Sequence, residues 1–207
     1  MKIEREFVFI FIGLMSYSVF FWIDYLDLIG KKTLKVILWV VGLILHSYAV
    51  FGLVLSSDKI NFNFAVKCAG YIFGGLFFVL LIYSVFIEIP LYRKKGLSKN
   101  NGLVTKGTYS LCRHPGVLWY IGFLISLFFI TGSKPMLIAV PLWGIADIVY
   151  AWYQDKYYFV RIFGYEYTEY KKKVPIFFPR IFRLSVKNNV FLGKLIGLKK
   201  QVSNEDN

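Results

Sequence analysis

Residues 64–89 carry only Lys67 and Glu88 as charged side chains and are otherwise apolar or small. Four further blocks resemble this one: 7–22 (reaching toward Tyr25), 34–55, 117–131 and 136–153. A run of about 20 apolar residues matches the thickness of a bilayer's hydrocarbon core. Inside lipid the backbone must satisfy its own hydrogen bonds, so runs of this length are expected as helices. The expectation is an all-α integral membrane bundle of about five transmembrane helices, built as a single domain over 1–207. Spans one to three occupy 1–92, a core with a helical hairpin occupies 93–179, and an interfacial or disordered tail occupies 180–207. The hairpin forms where "TGSKP" joins the last two blocks tightly. The fourth block is short, so it tilts little or sits partly in the interface. The first block has no small-residue cleavage site at its end and is read as a span, not a leader.

Only 18% of the residues are charged, yet the net charge is +13. In a soluble chain such a surplus would point to nucleic acid, and the apolar blocks argue against that partner. The basic residues gather beside the spans. Arg93, Lys94, Lys95, Lys99, Lys106 and Arg113 follow the third block, and Lys156, Arg161, Lys171, Lys172, Lys173, Arg180 and Arg183 follow the fifth. Attraction to an anionic inner leaflet accounts for this, and the positive-inside bias puts both segments and the C-terminus in the cytoplasm. Five spans then require an external N-terminus, against which Lys2 and Arg5 argue. In the tail, 155–173 reads as short helices broken at Gly164, and 177–198 reads as a segment lying on the headgroups. Cys68 and Cys112 show neither metal nor disulfide spacing and are taken as structural thiols. No metal cluster is visible.

Ionisable groups inside spans are costly and mark functional positions by default. His46 is expected to hydrogen-bond a neighbouring helix. Glu88 is either a boundary charge paired with Arg93 or a site residue. Asp147, Ala151 and Asp155 are spaced i, i+4, i+8 and would share one helix face. Asp147 is then either a carboxylate bonded to a Tyr or Trp of another span, or part of a polar stripe lining a cavity.

The stretch "LVTKGTYSLCRHPGVLW" links a basic loop to the fourth block. Proline is tolerated in the first turn of a helix, so Pro115 marks a helix start with Arg113 and His114 just ahead of it. Unpaired amides and the helix dipole make such a start attractive to an anion, and Arg113 and His114 add to the field. Gly102 and Gly107 allow tight turns and close approach. An ordinary interfacial loop with a snorkelling Arg113 is the alternative.

The order of these pieces resembles the isoprenylcysteine carboxyl methyltransferase family, which borders the phospholipid N-methyltransferases. Leu103, Val104, Gly107, Tyr109, Arg113, His114 and Pro115 match the family's first motif. Phe163, Gly164, Glu166, Tyr167, Tyr170, Val174, Pro175 and Pro179 match its second, two spans later. The resemblance covers about 94–179. It implies S-adenosylmethionine as cofactor, contacted by Asn101, Gly102, Leu103, Val104, Tyr109, His114, Pro115, Gly116, Val117 and Asp155, with Asp155 available to the cofactor's ammonium. It implies a hydrophobic or lipid acceptor arriving from the bilayer. Methyl transfer from a sulfonium is an in-line displacement that needs alignment and dryness and no metal. Arg113 and His114, with Asp147, are the expected catalytic residues.

Three positions depart from the family pattern: Val117 in place of a tyrosine, Lys156 in place of a second acid, and Ala151 in place of an arginine. Without a guanidinium at Ala151, a carboxylate acceptor lacks its bidentate partner. Asp147 would instead favour a cationic acceptor, or an amine, thiol or hydroxyl that needs a base. Two other classes fit part of the pattern: an NADPH-dependent membrane reductase and a non-catalytic lipid-binding protein on the same fold. A transporter is disfavoured because no inverted pair of broken helices is present.

Overall fold

The computed structural model describes residues 2–96, 98 and 102–178. Asn101, Pro179 and the expected tail over 180–207 lie outside the described residues. The described chain is an all-α membrane bundle. Helix α1 is Lys2–Leu28, α2 is Lys32–Val54 and α3 is Phe64–Ile82. The third rod runs on through a π-helical turn, Tyr83–Glu88, into α4, Ile89–Lys94. Helix α5 is Pro115–Thr131 and α6 is Met136–Tyr153. The last rod also passes through a π turn, Gln154–Tyr158, into α7, Phe159–Phe163, and α8, Tyr165–Lys173, follows.

Among the described residues, four rods are long and apolar enough to cross a membrane: Glu4–Leu28, Lys32–Val54, Phe64–Lys94 and Met136–Phe163. Helix α5 is apolar but has 17 residues. At 1.5 Å per residue it spans roughly 26 Å, just short of a hydrocarbon core of about 30 Å. The described bundle therefore has five apolar helices, of which four reach full length.

Helix α1 packs on α2, α3 packs on α5, and α6 joins the two pairs through α1 and α5. Apolar attraction does not drive helices together in lipid, so close backbone approach and polar contacts must do so. Trp143 is wholly buried and donates from Nε1 to the Ile10 carbonyl at 3.1 Å. A Cβ on Gly13 would stand 2.3 Å from the Trp143 ring, so this glycine is what lets α6 lie against α1. Ile10, Tyr17, Leu53, Leu124 and Met136 belong to the same central cluster.

One end of the bundle is closed by a zipped pair of loops. The Ile60 amide donates to the Gly132 carbonyl at 2.7 Å, and the Ser133 hydroxyl donates to the Leu53 carbonyl at 2.6 Å. The other end gathers the cations. The α1–α2 turn brings Lys31, Lys32 and Lys35 there, with Lys35 paired to Asp27 at 2.8 Å. Asp27 in turn accepts from Tyr158 of the last rod. These lysines join Arg93, Arg113, Lys156 and Lys171 at one basic end.

Candidate functional site

The loop between α4 and α5 is fastened to the third rod by Glu88. This carboxylate is fully buried in the π turn. It accepts from the Thr108 amide at 2.8 Å and from the Thr108 hydroxyl. Gly107 makes the contact possible. Its φ is +60°, and a Cβ there would fall 1.6 Å from Glu88 Oε1. Arg93 does not pair with Glu88. It donates from Nε to the Gly102 carbonyl at 3.0 Å, which removes the boundary ion pair from the two readings of Glu88. The Tyr109 hydroxyl donates to the Ser84 carbonyl at 3.2 Å, so this residue also anchors the loop.

Arg113 and Asp155 meet in a buried fork. Arg113 Nε lies 2.6 Å from Asp155 Oδ1 and Nη2 lies 3.1 Å from Oδ2. The Tyr167 hydroxyl donates to Oδ1 at 2.7 Å, and Lys171 Nζ stands 2.9 Å from Oδ2. Each carboxylate oxygen thus has two donors, and Asp155 is the anchor of Arg113 and the tail, not a free carboxylate facing an ammonium. The remaining Arg113 nitrogen, Nη1, donates to the Lys171 and Val174 carbonyls at 3.1 and 2.6 Å. The backbone is tied as well, with the Arg113 amide to Pro175 O at 2.9 Å and the His114 amide to Ile176 O at 3.1 Å. Gly164, at φ +58° and ψ −134°, breaks the chain between α7 and α8 and folds α8 back onto this fork. Leu103 packs with Phe163, Tyr167 and Tyr170, and Val104 is buried beside it in sequence. These two residues hold the tail down.

His114 sits at the mouth of α5. Its ring lies between those of Phe159 and Phe177, at centroid distances of 5.8 and 6.1 Å. Its side chain is 7% exposed, and Nε2 has no hydrogen-bond partner among the described residues. The nearest carboxylate oxygen, Asp155 Oδ1, is 3.9 Å away, beyond hydrogen-bonding reach. Burial pulls the imidazole pKa down, with Asp155 pulling the other way and Arg113 and Lys171 adding to the depression. Burial thus favours the neutral ring. Pro115 occupies the first helical position, and the amides behind it in that turn have no intrahelical acceptor. Gly116 serves packing, because a Cβ there would meet Val85 at 3.1 Å, and Val117 is buried. Cys112 is 2% exposed, and burial pushes its thiol up to about 11, consistent with a structural thiol.

Asp147 is not part of this cradle. Ala151 between it and Asp155 is 1% exposed, so no open stripe runs from one carboxylate to the other. The π turn beginning at Gln154 also interrupts the α-helical face on which the three were expected. The structure brings Arg113, His114, Pro115, Tyr109, Leu103 and Asp155 to the basic end. It sets Asp147 deeper in the bundle, within electrostatic reach of Tyr17, Tyr120 and Tyr150.

Sequence reasoning missed Lys171 as a partner of Asp155, the Phe159 and Phe177 walls, and Thr108 as the Glu88 ligand. The i, i+4 recurrence of Phe159, Phe163 and Tyr167 was the available signal for an aromatic face on the tail.

No family model matches the chain, and no solved structure matches it. Two curated proteins are similar to part of it: the protein-S-isoprenylcysteine O-methyltransferases of Mus musculus and Rattus norvegicus. Each is 32% identical over 91 residues, covering 41% of this chain. The chain spans about 30% of the length of these relatives. The similarity points to a distant relation with a membrane methyltransferase.

Proposed function

We propose that the chain transfers a methyl group from S-adenosylmethionine to a hydrophobic acceptor held in the bilayer, at a basic end that faces the cytoplasm. The observation that carries this reading is the buried, unpartnered Nε2 of His114 beside the unpaired first-turn amides of α5. A polar atom is rarely buried without a partner in a native interior, so this one is suited to a ligand. The donor set fits the carboxylate and polar end of an amino-acid-bearing cofactor. When bound, the cofactor supplies an electrophilic methyl carbon on a sulfonium.

The protein's part is to hold and to dry. His114 and the amides of Gly116 and Val117 bind the polar end. Gly102, Leu103, Val104, Tyr109 and Pro115 shape the wall around it, and Asn101 is a further contact implied by the family resemblance. Asp155 keeps Arg113 in place, and Arg113 keeps the 171–176 backbone closed over the imidazole. Phe159 and Phe177 exclude water from the same point. Lipid and the lateral faces of the helices supply the route for a hydrophobic acceptor.

The test is S-adenosylmethionine and S-adenosylhomocysteine binding to the protein in nanodiscs, with NADPH as competitor. The expected result is saturable binding of both S-adenosyl ligands, weakened at least tenfold by His114→Ala and unaffected by NADPH. If cooperatively unfolding wild-type protein binds neither, the reading fails. Displacement by NADPH would replace it with the reductase reading, and binding of none of the three would leave a lipid-binding scaffold.

A further inference from the structure

A separate cavity stands at the end of the bundle closed by the zipped loops. Helix α1 starts there and ends 27 residues later at the basic end, so roughly 40 Å separates the cavity from the cradle. The cavity has a volume of about 200 Å³ and lies between the start of α1 and the start of α6. Glu6, Phe7 and Ile10 of α1 line one side, Ile138 of α6 lines another, and Asp58 and Lys134 come from the two loops. Ile10 is buried, whereas Phe7 is 56% exposed and Ile138 48% exposed. The lining thus combines charged groups from the loops with apolar walls that run onto the lateral surface of two spans.

The charged groups are fixed by the chain. The Ser56 hydroxyl donates to Glu6 Oε1, and its oxygen accepts from the Asp58 amide at 3.2 Å. Lys134 Nζ pairs with the Asp58 carboxylate at 2.7 Å, and the Lys134 amide donates to the Asp58 carbonyl at 3.0 Å. Ser56 and its neighbour across the zip, Ser133, are both buried.

The charges do not balance. Asp58 and Lys134 neutralise each other. Glu6 holds only a neutral hydroxyl, and among the described residues no cation pairs with it. A carboxylate at the end of a span, half-buried beside apolar walls, calls for a cation. An ammonium has three protons to donate, so Lys134 can serve Asp58 and still bond an anion. One cavity therefore offers an acceptor for a cation and a donor for an anion.

We infer that this cavity holds the headgroup of a phospholipid that carries a primary ammonium and a phosphate. The ammonium sits on Glu6, the phosphate on Lys134, and the acyl chains lie along Phe7 and Ile138. Quaternary ammonium groups are recognised by aromatic faces. Phe7 is the single aromatic lining residue among the described ones, whereas Glu6 offers the oxygens that a primary ammonium needs. The volume is below the roughly 300–1,000 Å³ of pockets that enclose a whole small ligand, so only the headgroup enters. The exposed apolar walls favour a molecule with chains over a free headgroup. A lipid held this way bridges the start of α1 to the α6 loop, and the site stands whether or not the chain transfers methyl groups.

Native mass spectrometry of the full chain tests this. The protein in detergent is given equal amounts of phosphatidylethanolamine and phosphatidylcholine. The expected result is one retained phosphatidylethanolamine per chain, at least fivefold over phosphatidylcholine. Glu6→Gln keeps an acceptor for Ser56 and removes the charge, and should bring the two lipids within twofold of each other. Phe7→Lys sets an ammonium at the exposed rim to compete for Glu6. It should have the same effect and keeps the test alive if Glu6→Gln does not fold. Equal retention of both lipids by wild type would overturn the site, as would a preference that folded Glu6→Gln, or Phe7→Lys in its place, retains. Displacement of the lipid by an equal concentration of glycerophosphoethanolamine would also overturn it, because the cavity would then take a free headgroup from water.

Discussion

The substitution Asp155→Asn removes one charge from a site that holds two cations. The new side chain would present its amide nitrogen, a donor, to at least one of Arg113 and Lys171, which are donors themselves. The Arg113 side chain is 9% exposed and that of Asp155 is 7%, whereas that of Lys171 is 30%. Removing one partner of a buried pair costs about 3–5 kcal/mol. The half-wet lysine adds at most about 1 kcal/mol. The loss falls on the clasp between the α5 start and the tail, since Arg113 also holds the Lys171 and Val174 carbonyls.

Amide exchange in nanodiscs reads this directly. The reporters are the amides of Arg113, His114 and Val174, bonded to Pro175, Ile176 and Tyr170 respectively. At about 1.4 kcal/mol per decade, Asp155→Asn should reduce their protection roughly 10²- to 10⁴-fold, up to the limit set by global unfolding. Amides in the middle of α2 should be unchanged. Arg113→Lys keeps the charge and loses the fork, and should fall between wild type and Asp155→Asn. The reasoning is refuted if the three reporters keep their protection within threefold. If protection holds while S-adenosylhomocysteine binding is lost, Asp155 contacts the ligand itself and does not serve as an anchor.

Gly107→Ala should open the 102–110 loop. Its Cβ would displace Glu88 Oε1, and the residue sits at φ +60°. The left-handed conformation costs about 1–2 kcal/mol and each lost bond to the buried carboxylate about 1.5–3 kcal/mol, so loop cleavage by a protease should rise at least tenfold. The pH dependence of stability should carry a His114 signature. Its folded pKa is depressed below the unfolded value of about 6.5, so the folded state binds fewer protons through that window. Stability is therefore full above about pH 6.5 and falls as pH drops toward the folded value. His114→Phe should flatten the fall in melting temperature between pH 7 and pH 5.

The spans and the start of α5 were legible because each is a local signal. Apolar length marks a membrane helix, and Pro115 marks a first turn, with His114 at the cap position in the structure. The break at Gly164 was legible for the same reason. Partnerships across the fold were not. Glu88 has Arg93 five residues away in sequence, yet its ligand is Thr108, brought back by the turn at Gly107. Asp155 looked free because its three partners, Arg113, Tyr167 and Lys171, lie 12 to 42 residues distant in sequence. The polar face of the last rod could be counted from its own spacing. The acids that meet it, Asp24 and Asp27, come from a helix 130 residues earlier, and single-helix periodicity carries no information about that pairing.

The two π turns tie these facts together. A π turn adds a residue to a helical turn and rotates every side chain beyond it, and such turns recur at functional sites. Both occur in rods that leave the bundle at the basic end, and each contains one buried carboxylate, Glu88 or Asp155. In the last rod, Asp155 reaches Arg113 at the α5 start while Tyr158 reaches Asp27 on α1. One turn of helix thus braces the start of α5 and ties the last rod to α1. Asp147 lies eight residues inside Asp155, about 12 Å along the axis at 1.5 Å per residue. Changes at Asp147 should therefore leave the clasp intact, whereas changes that straighten the π turn should loosen the clasp and the Tyr158–Asp27 contact together. Deleting Gln154, which would restore plain α-helical phase beyond Tyr153, should lower the amide protection of Arg113 and His114 and of Gly30 and Lys31 at the end of α1 together, and loss of only one of the two would show that the turn does not couple them.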